Sequence, residues 1–435
     1  MPDNRFHLAW FMNFSSFEWN GPFSGNDGAV WTDGSLHVEM AQALERGGFD
    51  YMMLEDSSMV SDAYEGTSRV DLKYGLYAPK HDPFPLIPLM ADATRRLGFV
   101  ATSSTSLVPP YLLARRVSTL DHLTHGRVGW NIVTSSEDRA AQNYGMAKLW
   151  EHDHRYERAD EYVEVVEGLW GSFRPEAVVR NRDSHTYADA RYVTPIDHDG
   201  KFFKSRGPLN TLPPLQSKPV LCQAGGSPRG RQFAAQHADT LLASAFGTAK
   251  MKAYRDDIRT RMAAAGRDPD SCKVMFIVIP ILGETMREAQ EKAELASLAT
   301  DDLAESALGH LSALTENDFS IYNLDEPVPT VTTNGHTSTL ADFLSLDEGN
   351  TTPLREHAAS WTIDSLPLVG TPDHVAGLMQ EAMEEVGGDG FLISGKMNRR
   401  YIHEIADGLC PALRRRGVIR DHYEHEYLRD NLMAF

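Results

Sequence analysis

Two stretches of the chain combine residue types and spacings that suit a binding or catalytic site. In QAGGSPRGRQFAA (223–235), Gly225 and Gly226 allow a steep backbone turn, Ser227 suits a helix N-cap, and Pro228 suits the first helical position. A helix that starts this way offers free N–H groups, the positive end of its dipole and a hydroxyl, which together suit a phosphate. The same residues also make a well-capped helix with no ligand. In WEHDHRYERADEY (150–162), helical spacing puts His152 and Tyr156 on one face, where they can stack on or hydrogen-bond an aromatic ligand. The pair His152 and His154 also raises metal binding. Barrel hydrolases, however, place such a pair at a strand end rather than a helix start, and a solvated helix start among acidic neighbours stays open. Three further polar positions follow apolar runs: Asp56 after YMMLE, Thr102 in ATSSTS, and Asn131 in NIVTSSED. Each alone suits a turn or cap; together they suit a shared rim.

The elements that would position these residues are legible. Apolar, β-rich runs fall at 7–11, 51–55, 98–102, 127–133, 219–224, 240–245, 273–281 and 390–394. Several are continuous rather than alternating, as in strands covered on both faces. Helix-period stretches such as LHVEMAQALERG, YLLARRVSTLDHLTHG and KMKAYRDDIRTRMAAAG lie between them, several closed by glycine. Eight strands alternating with helices point to an α/β (β/α)₈ barrel, a TIM barrel with insertions, in preference to a doubly wound open sheet. Active sites of such barrels lie at the C-terminal strand ends, where Asp56, Thr102, Asn131 and the start of QAGGSPRG fall. Residues 172–218 and 301–368 break the repeat and read as insertions of the kind that build lids and pockets. The expected organisation is one decorated domain over 1–435.

Composition narrows the function classes. The chain has 435 residues, with 42 Lys+Arg against 61 Asp+Glu and a net charge of −19. An acidic balance argues against nucleic acid or anionic lipid, both of which need clustered cations. The start MPDNRFHLAW lacks the order of a signal peptide, and no apolar stretch approaches the length of a membrane span. Cys222, Cys272 and Cys410 are far apart and in no C-x-x-C pair, so a reducing cytoplasm is expected and structural zinc is not. No G-x-G-x-x-G, phosphate-binding P-loop or G-x-S-x-G elbow is present, so redox chemistry would need reducing equivalents from elsewhere.

The runs LERGGFDYMMLEDS, LGFVATSSTS, ARRVSTLDHLTHGRVGWNIVTS, EHDHRYERADEYVEVVEGLW and PVLCQAGGSPRGRQFAA resemble, in order, the two-component flavin monooxygenases of the bacterial luciferase-like superfamily. The resemblance is to the branch with nitrilotriacetate, EDTA, dibenzothiophene-sulfone and long-chain alkane monooxygenases, and spans about residues 6 to 430. It implies a luciferase-like (β/α)₈ barrel, FMN as cofactor and O₂ as co-substrate. It places FMN contacts on Asp56, Thr102, Asn131, His152, Tyr156 and Ser227, with His152 and Asn131 nearest the chemistry. Ser227 would take the phosphate, with Arg229 close by as a reserve of charge. A separate NAD(P)H:flavin reductase would supply FMNH₂. A flavin C4a-(hydro)peroxide would then insert one oxygen into a small organic substrate, the other leaving as water. Homodimers or homotetramers are the family's assemblies.

The resemblance leaves the substrate open among aromatic, heterocyclic, organosulfur and amine compounds, some of them xenobiotic. Candidate pocket walls are Trp10, Asn13, Phe14, Ser57, Met59, Tyr64 and Tyr77, with Trp361 of the second insertion as a shield and Arg69 as a carboxylate contact. Phe14 stands where alkane-hydroxylating members carry cysteine. The rival readings are a deazaflavin-dependent dehydrogenase, a non-catalytic flavin-binding protein, and a metal-dependent barrel hydrolase using His152 and His154.

Overall fold

All eight apolar runs form strands, and each pairs in parallel with the next. They are β1 (His7–Met12), β2 (Tyr51–Leu54), β3 (Gly98–Ser104), β4 (Val128–Val133), β5 (Val220–Gln223), β6 (Thr240–Ala243), β7 (Lys273–Val278) and β8 (Gly390–Ile393). β8 pairs back onto β1, so the sheet closes into a barrel with no free edge. The computed structural model describes residues 4–12, 31–298, 300–346 and 351–435.

Side chains alternate across each strand, and this alternation sorts the apolar residues into two layers. Ala9, Phe11, Tyr51, Met53, Val100, Val220, Cys222, Met275, Ile277 and Leu392 share one cluster, which fills the barrel interior. Their neighbours Leu8, Trp10, Met52, Leu54, Phe99, Trp130, Leu221 and Phe391 pack instead against the surrounding helices. The strands read as continuous apolar runs because both layers are dry.

The N-terminal end of the barrel is closed by the C-terminal segment. Leu428 and Leu432, from the helix Leu428–Leu432, join the interior cluster. A Cβ on Gly98 would stand 2.5 Å from Leu428 Cδ1, so the strand needs glycine there. Beside this plug, buried Asp50 meets the Arg420 guanidinium and His7 Nδ1, the latter at 3.0 Å. Burial would push the Asp50 carboxyl up, but Arg420 and then His7 hold it below its ordinary value.

The two insertions behave differently. Residues 172–218 form two small antiparallel ladders, Val178–Asn181 with Thr186–Ala188 and His198–Asp199 with Lys204–Ser205. They lie on the outer helices rather than over the rim: Ser118 Oγ donates to Leu212 O at 2.8 Å, and Phe203 packs edge-on to Tyr162. The second insertion includes the helices Asp301–Thr315, Thr337–Leu344 and Leu354–Ser360. These share a separate apolar cluster with Met59, Tyr64, Val70 and Tyr77 from the segment after β2. No helix among the described residues is long and apolar enough to cross a membrane.

Removing Arg420 strands a carboxylate in a closed layer. Arg420→Met is expected to cost about 3–5 kcal/mol in denaturant unfolding, with much of the loss recovered in Arg420→Met/Asp50→Asn.

Candidate functional site

At the C-terminal end of the barrel the inward-facing positions turn polar. The register pairs Thr102 on β3 with Asn131 on β4, and Asn131 Nδ2 donates to Thr102 Oγ1 at 2.9 Å. Asn131 Oδ1 is buried and has no partner. One strand further round, Gln223 follows inward Cys222 and so turns outward, donating through Nε2 to the Tyr156 hydroxyl at 3.3 Å; its Oε1 is also buried without a partner. An unmet buried acceptor costs about 1–3 kcal/mol. The two acceptors therefore suit a ligand with N–H and hydroxyl donors, such as a flavin ring and its ribityl chain.

Outside these residues lies a cavity of about 710 Å³ whose wall includes Asp56, Ser57, Met59, Tyr77, Lys80 and Thr102. Burial pushes the Asp56 carboxyl up to about 6 against the pull of Lys80. Sequence reasoning missed the residue behind it, Glu55. Its N–H extends the β2 ladder to Met12 O, so by alternation with Tyr51 and Met53 it faces inward. Glu55 Oε2 meets Lys80 Nζ at 2.6 Å, Lys80 also donates to Ser57 Oγ at 3.1 Å, and Glu55 Oε1 has no partner. Burial pushes Glu55 up to about 7, with Lys80 opposing. The signal was its place in the inward phase, hidden behind the more conspicuous Asp56.

A second, smaller cavity of about 100 Å³ opens beside β5 and is lined by His152, Arg155, Tyr156, Gln223, Gly226 and Ser227 on the barrel side. Ser227 caps the helix Pro228–His237, its Oγ accepting from Gly230 N–H at 3.0 Å. His152 Nε2 reaches the same Oγ at 3.3 Å, and its ring stands edge-on to Tyr156 at 5.1 Å. His154 diverges toward Phe202, 5.3 Å away, so the two histidines do not converge on one point. Among the described residues no cluster of His, Cys, Asp or Glu could hold a metal ion.

The cation of this small cavity is not the one expected. Arg229 is tied up in an ion pair with Asp160. Arg155, only 1% exposed, takes its place. Its Nη1 donates to Trp150 O at 2.6 Å and its Nη2 to Asn334 O at 2.9 Å, while Nε has no partner. Among the described residues no carboxylate forms an ion pair with it; burial pushes its pKa down, and the nearby Glu137, Asp138 and Glu151 only partly oppose this. A buried cation so weakly balanced is costly, and an arriving anion offsets part of that cost. With the helix start at Pro228, the chemistry fits a phosphate.

The expected pocket walls divide. Ser57 and Met59 line the large cavity. Trp10 does not: its phase on β1 turns it outward, against Phe49 and Tyr401. Tyr64 and Trp361 belong to the apolar cluster of the second insertion. Trp361 reaches the cavity only indirectly, its ring 5.7 Å from His310, which stacks on Tyr77 at 5.2 Å. Arg69 is on the surface, paired with Glu65 and Glu305, each at 2.7 Å. Asn13 and Phe14 lie outside the described residues.

Glu55 gives the site a measurable pH signature. A carboxyl harder to ionise in the folded chain stabilises the fold below its unfolded value of 4.5, and that contribution is lost as pH rises to about 7. Glu55→Gln is expected to shrink the fall in stability between about pH 5 and about pH 8 by up to roughly 3 kcal/mol. Urea unfolding of both proteins at the two pH values measures this; an unchanged difference would mean that water reaches Glu55.

Comparison with known proteins gives the family. Residues 12–390 match the family described as luciferase-like monooxygenase. The chain is 36% identical to a dimethyl-sulfide monooxygenase of Hyphomicrobium sulfonivorans, over 99% of this chain and 90% of that protein. It is 34% identical to a dibenzothiophene-sulfone monooxygenase of Rhodococcus erythropolis (strain XP), over 98% and 96%. A crystal structure of a riboflavin lyase with modified FMN and riboflavin superposes with a TM-score of 0.89 at 31% identity, covering 99% of this chain and 96% of that one. Barrel, rim and sequence agree: the chain belongs to the luciferase-like monooxygenase family and is a flavin-dependent monooxygenase.

Proposed function

We propose that the chain uses FMNH₂ and O₂ to oxygenate a small organic substrate, with the reduced flavin supplied by a separate NAD(P)H:flavin reductase. The observation that carries this reading is the pairing of the two cavities. One is small, holds a buried cation and sits at a helix start; the other is large and shares the barrel rim with it. Gln223 of the small cavity and Asn131, bonded to Thr102 of the large one, each carry an unmet acceptor.

When bound, the flavin supplies the activation of O₂ that transfers one oxygen atom to substrate. The chain's residues do the rest. Ser227, the N–H groups at the start of helix Pro228–His237, and Arg155 hold the phosphate. Tyr156 and Gln223 take the hydroxyl-bearing chain, and Thr102 and Asn131 the polar edge of the ring. His152, its Nε2 3.3 Å from Ser227 Oγ, would contact the flavin beside the phosphate. Asp56, with its carboxyl pushed up to about 6, sits at the rim. Glu55 and Lys80 form a buried pair that can store or release a proton at Glu55 Oε1 without opening the site.

For substrate we favour a small organosulfur, aromatic or heterocyclic compound. The two relatives above are named for sulfur compounds, and Met59 and Tyr77 give the large cavity an apolar side. A single-domain chain in a cytoplasmic setting, assembled as a dimer or tetramer, completes the proposal.

The purified chain is expected to bind FMN and to support NADH consumption only when a flavin reductase is added. Tight NADH binding by the chain alone would overturn the two-component reading. Ser227→Asp is expected to weaken FMN binding by at least about tenfold through repulsion of the phosphate. Quenching of flavin fluorescence measures this, and unchanged affinity would place the phosphate elsewhere.

A further inference from the structure

One side of the large cavity is built by two helices rather than by strand ends. Phe84 comes from the helix Pro83–Asp92, and Pro109, Leu112 and Arg116 come from the start and first turns of the helix Pro110–Leu123. The last three are spaced i, i+3 and i+7, so they share one helix face. Helical side chains lean toward the N-terminus, and Arg116 therefore leans back toward the rim. Its guanidinium lies over the Phe84 ring, 4.9 Å from the centroid, and makes no ion pair or hydrogen bond among the described residues. Leu112 beside it is 44% exposed, an apolar surface next to a cation. The other charged groups of this wall are occupied. Lys80 is held by Glu55 Oε2 at 2.6 Å and also donates to Ser57. Asp82 caps its helix, accepting from Phe84 N–H at 2.9 Å, and His81 Nε2 meets Thr32 O at 2.9 Å. Glu137 accepts from the Ser136 hydroxyl at 2.5 Å, and Asp56 stands with it on the strand-end side.

We propose that Arg116 is a substrate-binding residue that takes the carboxylate of a small organosulfur or aromatic acid, with Phe84 and Leu112 beside the apolar part and the reacting end toward Thr102. The inference rests on the monooxygenase reading above and narrows its substrate class to acids. A guanidinium stacked on a ring loses water from one face, while its N–H edge stays open and is held ready for the two oxygens of a carboxylate. The carboxylates on the strand-end side set the orientation, because Asp56 and Glu137 repel an acid group and Arg116 attracts it. One helical turn rises about 5.4 Å, so an anion at Arg116 lies on the order of one turn from the rim. A short apolar spacer between the acid group and the oxidised atom fits that separation. Arg116 thus supplies the carboxylate contact that the sequence suggested for Arg69, which the fold leaves on the surface.

Calorimetric titration of the full chain with 3-(benzylthio)propionate and with its primary amide, without flavin and with FMN, tests this. The acid is expected to bind at least about tenfold more tightly than the amide, and added salt should narrow the gap. Arg116→Met keeps an apolar stem over Phe84, so the amide affinity should hold while the acid falls to within about twofold of it. Arg116→Lys, which keeps the charge without the planar fork, should retain part of the preference. Equal affinity of acid and amide in the unchanged chain, or an acid preference that survives Arg116→Met, overturns the proposal. Loss of acid and amide together in Arg116→Met marks a structural role and overturns it as well, as does absence of acid binding at about 10 mM. The flavin reading is judged separately: an acid preference that depends on Arg116, in a chain that binds no FMN, overturns that reading and leaves the acid site standing.

Discussion

Side-chain alternation along eight parallel strands, once the sheet closes on itself, decides which residues can meet at the rim. A residue of the inward phase points at the axis; its neighbours point at a helix. Thr102, Asn131 and Glu55 are inward, and the register of β3 against β4 brings the first two within hydrogen-bonding distance. Lower in the barrel the same phase holds Phe11, Met53, Val100 and Met275, which fill the axis with packed side chains. The site therefore needs no separate scaffold. At Thr102, Asn131 and Glu55 the apolar filling of the inward phase gives way to hydroxyl, amide and carboxyl groups; Gln223, in the outward phase beside Cys222, joins them to Tyr156 of the outer helix.

Electrostatics then divides the rim in two. On the β5 side, helix starts and Arg155 gather positive potential, which Glu137, Asp138 and Glu151 balance only from a distance. On the β2 side, Glu55, Asp56 and Lys80 form a mixed cluster in which burial raises both carboxyls. A chain with a net charge of −19 thus keeps a small positive chamber inside it. The bulk acidity says nothing of that chamber, since it sits on the solvated surface and is screened over about 10 Å.

Most of the fold was legible because each strand is covered on both faces and so leaves an unbroken apolar run in the sequence. That same feature hid the phase: in HLAWF nothing distinguishes Trp10 from Phe11, and the expectation that Trp10 walls a pocket failed for this reason. Ser227 was legible because capping is local, the glycines, the hydroxyl and Pro228 lying within four residues. Arg155 was not. That it makes no direct ion pair, in a segment crowded with carboxylates, depends on helix phase and on Asn334, which is 179 residues away. The second insertion read as a cover for the substrate through Trp361, yet it also touches the turn beside Ser227 through Ser338. Tertiary contacts of that kind have no spacing to betray them.

The plug formed by Leu428 and Leu432 has a consequence for traffic. With the axis filled and its floor sealed by these two side chains, the barrel end opposite the rim is closed to a ligand of flavin size. A large ligand therefore has to enter from the rim, where the second insertion and the segment after β2 shape its approach.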